Sequence, residues 1–430
     1  MSAQPDNMTR NRSRRAWLRG CGSLLVVIAC NLPGLRNISD SPVADDPDTP
    51  IILAAIRQDL SVPGLLKWFA RDWPLGNGFY RPVVVISLAI DNAVYGDDAR
   101  GYRRTNWMLG VACSLGVYWL LVSLTQSPVF AGCTGAMFAL RQSGFQPTLP
   151  FIVEILWAAA ILMGAVSVFF LHRHDARGNR QVRSWLATAS AAFLLVALDW
   201  RTMAIVVHWI AARTVVLGAL FSILALGSFA KLVVTGRGAW AWAALVAASL
   251  ALCSYEQSVM LPFAAAAILL WREPRDRGLA GTAIALMGLA LVVYMGLRLC
   301  TVGGNITAYH LIQTKTSILG PVRALVDYAL PVASCAGGNW VRVTTAGPWF
   351  LADGTFWVNL ALIAAWILAY VRLCRISWRA AVTLWLLKAL MFLPMAFLHL
   401  FARYLYLPEM AACALGMAAL WPGVLCGEES

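Results

Sequence analysis

The sequence predicts an all-α polytopic membrane protein, a bundle of about twelve (ten to thirteen) transmembrane helices at ~20 residues each, with surface helices in the first external loop. Three observations carry this. The 430 residues are 60% hydrophobic and only 13% charged, where a soluble chain carries charge on about a quarter of its residues. Stretches of roughly 18 or more residues run almost without charge. The basic residues fall between those stretches in the alternating pattern that sets membrane topology. A soluble enzyme on a single anchor is excluded. The net charge of +13 comes from 30 Arg and 4 Lys spread along the chain, with no basic stripe, so no nucleic-acid partner is expected.

Arg10, Arg12, Arg14, Arg15 and Arg19 precede the apolar run Cys21 to Leu32, the layout of a signal peptide or a first membrane helix. With so many spans following, it reads as an uncleaved helix with its basic end inside. Ser13 to Arg19 has the look of a twin-arginine signal and Val27 to Cys30 that of a lipoprotein box, both short enough to arise by chance. Helices are expected near residues 17–35, 105–125, 127–141, 150–171, 184–200, 209–230, 238–254, 258–271, 279–299, 355–371, 380–400 and 406–425. This assignment puts the N-terminal arginines, Arg173/Arg177/Arg180/Arg183, Lys231/Arg237, Arg272/Arg275/Arg277 and Arg372/Arg375/Arg379 inside. Segments 127–141 and 258–271 are short for a full span.

The whole chain, 1–430, then forms one integral membrane domain with two long external loops, 36–104 and 300–354. Nine of the 21 acidic residues lie in the first loop: Asp40, Asp45, Asp46, Asp48, Asp59, Asp72, Asp91, Asp97 and Asp98. Within it, Ile51 to Ile56 and Val62 to Phe69 have helical apolar spacing, and Pro82 to Tyr95 is apolar but shorter than a span. These read as helices lying on the outer membrane surface. The ten cysteines form no CxxC pair, so no metal cluster is implied. Cys300 and Cys335 bracket the second loop, either as a disulfide or as two small apolar residues.

Candidate chemistry starts with Asp45-Asp46. Pro47 biases Asp46 toward extended backbone, where successive side chains point apart, so one carboxylate of the pair enters a given site. Held within reach of a hydroxyl it can act as a general base; the alternative is a solvated acidic turn shared with Asp48. Gly76 to Pro82 places Tyr80 and Arg81 at headgroup level, where a guanidinium fork matches phosphate oxygens or simply anchors the interface. Ionisable residues near or inside spans mark sites by default. They are Arg201, His208 beside Trp209, Arg213, Glu256, Arg298, Lys388, Arg403 and Glu409. Most fall toward the external side and imply an outward-opening cavity, although charges at helix ends also snorkel. Lys388, near the middle of its helix, reads as one of a buried structural pair. Phe401 to Pro408, with Arg403, Tyr404 and Tyr406, opens the last helix.

In order along the chain, these strings resemble the GT-C type membrane glycosyltransferases, especially bacterial relatives of the protein O-mannosyltransferases and of the tetratricopeptide-repeat mannosyltransferases, here without the repeats. The landmarks are Asp45-Asp46, Phe79-Tyr80-Arg81-Pro82, Tyr102 to Asn106, Val207 to Thr214, Tyr255-Glu256-Gln257 with Pro262, and Arg403 to Pro408. The resemblance implies a polyprenyl-phosphate-linked sugar as donor, with a glycan, lipid or protein acceptor. It also implies Asp45 or Asp46 as catalytic base, and Arg81, Arg213 and Arg403 as cations for the leaving phosphate. The full implied set for donor phosphate and substrate is Tyr80, Arg81, His208, Trp209, Arg213, Glu256, Arg403, Tyr404 and Tyr406. No resident cofactor is assigned, and a divalent metal is left open. The chain departs from the family at Tyr255, where lysine is usual, at Val215, often polar there, and at Arg103 or Arg104, often histidine. The implied location is a bacterial inner membrane, N-terminus cytoplasmic and active site facing the periplasm. Two other readings are a transporter or flippase of a lipid-linked substrate and an inactive scaffold of the cell envelope; neither needs the aspartate pair.

Overall fold

The computed structural model describes residues 5–36, 38–39, 41–43, 48–143, 206–303, 314, 319–329, 354–398 and 402–420. Among them the protein is all-α, with no β-strand. The helices are α1 (Pro5–Arg36), α2 (Thr49–Arg57), α3 (Val62–Leu66), α4 (Pro82–Tyr95), α5 (Ala99–Thr125) and α6 (Pro128–Ser143). After these come α7 (Arg213–Thr235), α8 (Ala239–Leu252), α9 (Leu261–Trp271), α10 (Arg277–Val302), α11 (Leu319–Ala329), α12 (Gly354–Ala396) and α13 (Tyr406–Leu420). Among the described residues, five stretches are long and apolar enough to cross a membrane: Trp17–Leu35, Ala99–Thr125, Ile210–Thr235, Arg277–Val302 and Tyr370–Ala396. This is a helical membrane protein. The helices expected at 150–171 and 184–200, with Arg173 to Arg201, lie outside the described residues, as do Asp40, Asp45, Asp46 and Cys335.

Local chemistry sets the helix ends. Asp98 starts α5 by accepting from the Arg100 amide at 3.0 Å, and Asp276 starts α10 by accepting from Leu279 at 2.9 Å. Both are acceptors for amides that have no partner inside the helix. Gly236 closes α7 in the left-handed conformation (φ 67°), the turn where a side chain is least tolerated. Within the basic stretch Arg372 to Arg379 two helices meet at a kink at Ser377 (φ −148°, ψ 75°), and the pair is numbered together as α12.

Two cores result. The bundle core joins α5 and α6 to α7, α8, α9, α12 and α13. Close approach depends on small residues, as is usual between membrane helices: a β-carbon on Gly218 of α7 would sit 2.5 Å from Tyr255 Cβ. A buried polar seam ties α1, α5, α6 and α13. Gln142 donates to Asn31 Oδ1 and to the Gly110 carbonyl, both at 2.7 Å, while the Tyr406 hydroxyl donates to Gln142 Oε1. One residue away on α6, Arg141 pairs with Glu409.

The second core makes the first loop a cap on the bundle, while Ile51, Val62, Leu66 and Phe69 of its helices keep their apolar side chains exposed. Ile52, Leu53 and Ile56 of α2, expected to face the membrane surface, pack on Val84, Val85 and Leu88 of α4, and the cluster runs into Ile210, Ala211 and Leu217 of the bundle. The amphipathic face has a protein partner, which buries the same apolar area without needing the bilayer. At the opposite end of the bundle, Arg272 donates to the Leu124 carbonyl at 2.7 Å and the Arg275 amide to Val233 at 2.9 Å. The connections assigned to one side therefore meet on one side.

Arg213 fixes the cap to the bundle. It is fully buried and donates to Asn106 Oδ1, to Ser87 Oγ (2.8 Å), to Asp91 Oδ2 (2.5 Å) and to the Tyr102 carbonyl (3.0 Å). Lysine cannot reach these acceptors together, so Arg213→Lys is expected to destabilise the protein by about 2–4 kcal/mol. Asp91→Asn, which strands a buried cation, should cost about 3–5 kcal/mol. Thermal unfolding in detergent measures both, and variants that melt with the wild type would remove the clamp from this account.

Candidate functional site

Where the cap meets the bundle, a cavity of about 550 Å³ opens. The cap contributes Asp48, Ile52 and four residues of one tight turn, Trp73, Leu75, Asn77 and Phe79, followed by Arg81. Asp72 shapes that turn by accepting from the Trp73 amide at 2.7 Å and the Gly78 amide at 3.0 Å. The bundle supplies Trp209, Tyr255, Glu256, Phe263, Arg298, Arg403 and Tyr404 together with an apolar wall from α9, α10 and α12. Polar groups converging in a mostly apolar cleft are the usual form of a small-molecule site.

The centre of the site is the ion pair of Arg81 with Glu256. Arg81 Nε lies 3.0 and 3.1 Å from the two carboxylate oxygens, and Nη2 lies 2.7 Å from Oε2. Both side chains are 12% exposed. The guanidinium also stacks on Phe79, 4.1 Å from the ring centroid, with Tyr255 at 5.2 Å and Trp73 at 5.7 Å. Carboxylate and rings fix its plane, and its Nη1 hydrogens make no bond within the protein among the described residues. Arg403 lies over Trp209, 5.1 Å from the ring centroid, and 5.4 Å from that of Tyr404. Gln257 positions that turn by donating to the Tyr404 carbonyl at 2.9 Å and to the Met391 carbonyl at 2.6 Å.

Arg81, Trp209, Glu256, Arg403 and Tyr404, far apart in sequence, thus share one cavity. The other candidates lie elsewhere. Arg213 is saturated inside the cap clamp. Tyr406 belongs to the polar seam, its ring edge-on to Phe138 at 5.3 Å. Tyr80 packs on Tyr294 and donates to the Phe69 carbonyl at 2.9 Å; burial pushes its pKa up to about 12, so it stays a neutral donor. His208 precedes the cavity residue Trp209, but burial first and the neighbouring Arg103 second push its imidazole down. It is neutral at pH 7 and supplies no cation. Glu256 works as the counter-ion of Arg81, not as a contact for an anion.

The fates of the six described first-loop carboxylates narrow the choice of a base. Asp59 accepts from Ser61 and Lys67, Asp97 pairs with Arg57, and Asp91 pairs with Arg213. Asp72 and Asp98 hold backbone amides. Of the described ones, only Asp48 lines the cavity, and Asp46 is two residues from it in the chain. Asp48 and Arg298 were visible in the sequence, one as a member of the acidic run and the other as a charge near a helix end. Trp73 carried no such signal, and Tyr255 stood out only as a departure from the family pattern. Among the described residues, no three His, Cys, Asp or Glu side chains group to hold a metal ion.

Comparison with family models, curated proteins and solved structures finds no match to this chain. The geometry alone therefore defines the site, and its ion pair is testable. In a double-mutant cycle, Arg81→Gln and Glu256→Gln are expected to show a coupling of about 1.5 kcal/mol or more in detergent unfolding. Additive effects would make the pair incidental.

Proposed function

We propose that this protein is an inverting glycosyltransferase of about twelve membrane spans that takes a sugar from a polyprenyl-phosphate carrier. The acceptor is a glycan, lipid or protein on the external face of the inner membrane. The observation that supports the reading best is the cavity between cap and bundle, whose lining includes Arg81, Arg298 and Arg403 and the first-loop carboxylate Asp48. Its other wall is apolar, including Met260, Phe263, Leu291 and Met295. An amphiphile with an anionic junction between a polar head and a hydrocarbon chain fits that division.

In this mechanism one first-loop aspartate, Asp45 or Asp46, takes the proton of the acceptor hydroxyl as general base. The acceptor oxygen attacks the anomeric carbon from the side opposite the phosphate. The bond from that carbon to the phosphate oxygen breaks, its electron pair leaves with the carrier phosphate, and the configuration inverts. Negative charge grows on the phosphate, where fixed guanidiniums stabilise it most because they need no reorganisation. Arg81 suits this role through its open Nη1 edge, and Arg403 lines the same cavity.

Purified protein in nanodiscs, supplied with radiolabelled polyprenyl-phosphate sugars, tests the reading by transfer or hydrolysis of the label. Asp45→Asn or Asp46→Asn is expected to lower the rate by about 100-fold or more, with Asp48→Asn run beside them. Donor that binds but stays intact with every sugar would favour a transporter or scaffold. Transfer indifferent to all three substitutions would keep the enzyme and discard the base.

A further inference from the structure

The end of the bundle away from the cap carries charges that neither the cavity nor the clamp uses. The register of α9 against α12 locates them. Gln257, just before α9, donates to the Met391 carbonyl at 2.6 Å, and Thr383 donates to the Ala267 carbonyl at 3.1 Å. The two segments are therefore antiparallel, and continuing the same pairing sets Trp271 and Arg272 opposite Trp378 and Arg379. Trp271 is buried in the bundle core with Ala380 and Ala381, as that register requires. Trp378 is 58% exposed, and Arg379 beside it is exposed as well.

Each tryptophan carries a guanidinium: Arg272 lies 5.9 Å from the ring centroid of Trp271, and Arg379 lies 5.9 Å from that of Trp378. Tryptophan beside arginine at the end of an apolar helix marks the headgroup level of a bilayer. Arg272 is held there by the bond from its Nε to the Leu124 carbonyl at the end of α5. Arg275 adds a third cation at the same turn, its stem lying where a β-carbon on Gly236 would meet Arg275 Cβ and Cγ at 3.5 Å. The acids of that turn are Glu273 and Asp276, and Asp276 is occupied in starting α10. On α12, Arg372 and Arg375 precede the kink, so cations exceed acids on both sides of the register. Apolar surface adjoins them, because Val371 and Ile376 are exposed next to Trp378. A ligand that is anionic at one end and hydrocarbon at the other satisfies both features, and basic pockets between membrane helices bind such lipids.

We propose that the turn after α9 and the kink of α12 form a binding site for an anionic phospholipid. Arg272 and Arg379 hold its phosphate against Trp378, and its acyl chains cover the apolar side chains around the kink. A lipid so placed joins α9 to α12, two of the helices that supply the apolar wall of the cavity, from the end opposite the cap. It stabilises the bundle by binding the folded arrangement alone. The assignment stands apart from the transferase reading.

The test is lipid binding by the full-length protein, read by native mass spectrometry from micelles titrated with phosphatidylglycerol or with phosphatidylcholine. Thermal unfolding in phosphatidylcholine nanodiscs, with and without phosphatidylglycerol, gives a second readout. Wild type is expected to retain phosphatidylglycerol several-fold more tightly than phosphatidylcholine and to melt higher in nanodiscs that contain it. Arg379→Gln alters an exposed side chain, so the fold should survive, and it should weaken phosphatidylglycerol by about fivefold, the worth of one cation near an anionic surface. Arg272→Gln should do the same, while Arg272→Lys, which keeps the charge, should keep most of the binding. Arg237→Gln removes an exposed arginine from the turn after α7 at the same end of the bundle and should change nothing. Equal retention of the two lipids by wild type would overturn the site, as would phosphatidylglycerol binding by Arg379→Gln equal to wild type. An equal loss in Arg237→Gln would also overturn it, by reducing the effect to the diffuse charge of that end. Neither readout involves a sugar, so a protein that moves none leaves this result intact, and failure here leaves the transferase reading untouched.

Discussion

The arrangement of this protein depends on one guanidinium buried where no water reaches it. Arg213 stands at the start of α7 and takes acceptors from α4 and α5 at once, through Ser87, Asp91, Asn106 and the Tyr102 carbonyl. A cation so placed is tolerable only when its donors are matched, so the clamp requires α4 to lie against α5 in one register. Thr105 adds to this by donating to Asp91 at 3.0 Å, and Asn106 also donates to the Trp209 carbonyl at 2.9 Å. Through Trp209 the clamp reaches the cavity wall, and through α4 it sets Arg81, the residue just before that helix. The cavity is thus a consequence of how the cap is fastened.

Polar contacts inside the bundle follow the same logic at lower charge. The Gln142 seam joins helices distant in sequence through groups that hydrocarbon cannot satisfy, and each partner loses its alternative if a helix drifts. Gln257 does this beside the cavity: its amide bonds to carbonyls on α12 and on the turn at 402–405 hold the Arg403–Tyr404 turn at the cavity wall. The Tyr255 backbone can come so near α7 only because residue 218 is glycine. The precision of the site rests on bundle elements that never touch its space.

Much of this was legible in the sequence, for reasons tied to the bilayer. Hydropathy located the described spans because a lipid-exposed helix must be apolar along its length. Arginine placement ordered their ends, so the sequence already put Arg81, Trp209, Glu256 and Arg403 at a common level. What it did not contain was the partner of each charge. Arg213 and Arg81 look alike as isolated arginines near apolar segments. Asp91 and Asp48 look alike as members of one acidic loop, yet one closes the clamp and the other borders the cavity. The helical spacing of Ile52 to Ile56 reports an apolar face and not what covers it, which is why a membrane surface and α4 could not be told apart. Asp45 and Asp46 fall outside the described residues, so their assignment rests on the sequence and on their nearness in the chain to Asp48.

The two arginines that tie the first loop to the bundle separate structural from chemical roles by a simple criterion. Arg213 engages Nε, Nη1 and Nη2 with four protein acceptors and is closed to solvent. Arg81 engages Nε and Nη2 with one carboxylate and keeps Nη1 toward a cavity. The first is a finished interaction, and adding an anion there would mean breaking it. The second is half finished: Glu256 offsets the cost of keeping the charge out of water and holds the guanidinium plane, and the remaining edge is available at no further orientational cost. Preorganisation of that kind is what a site for developing negative charge needs, and it accounts for an acidic residue standing inside a cavity whose proposed ligand is an anion.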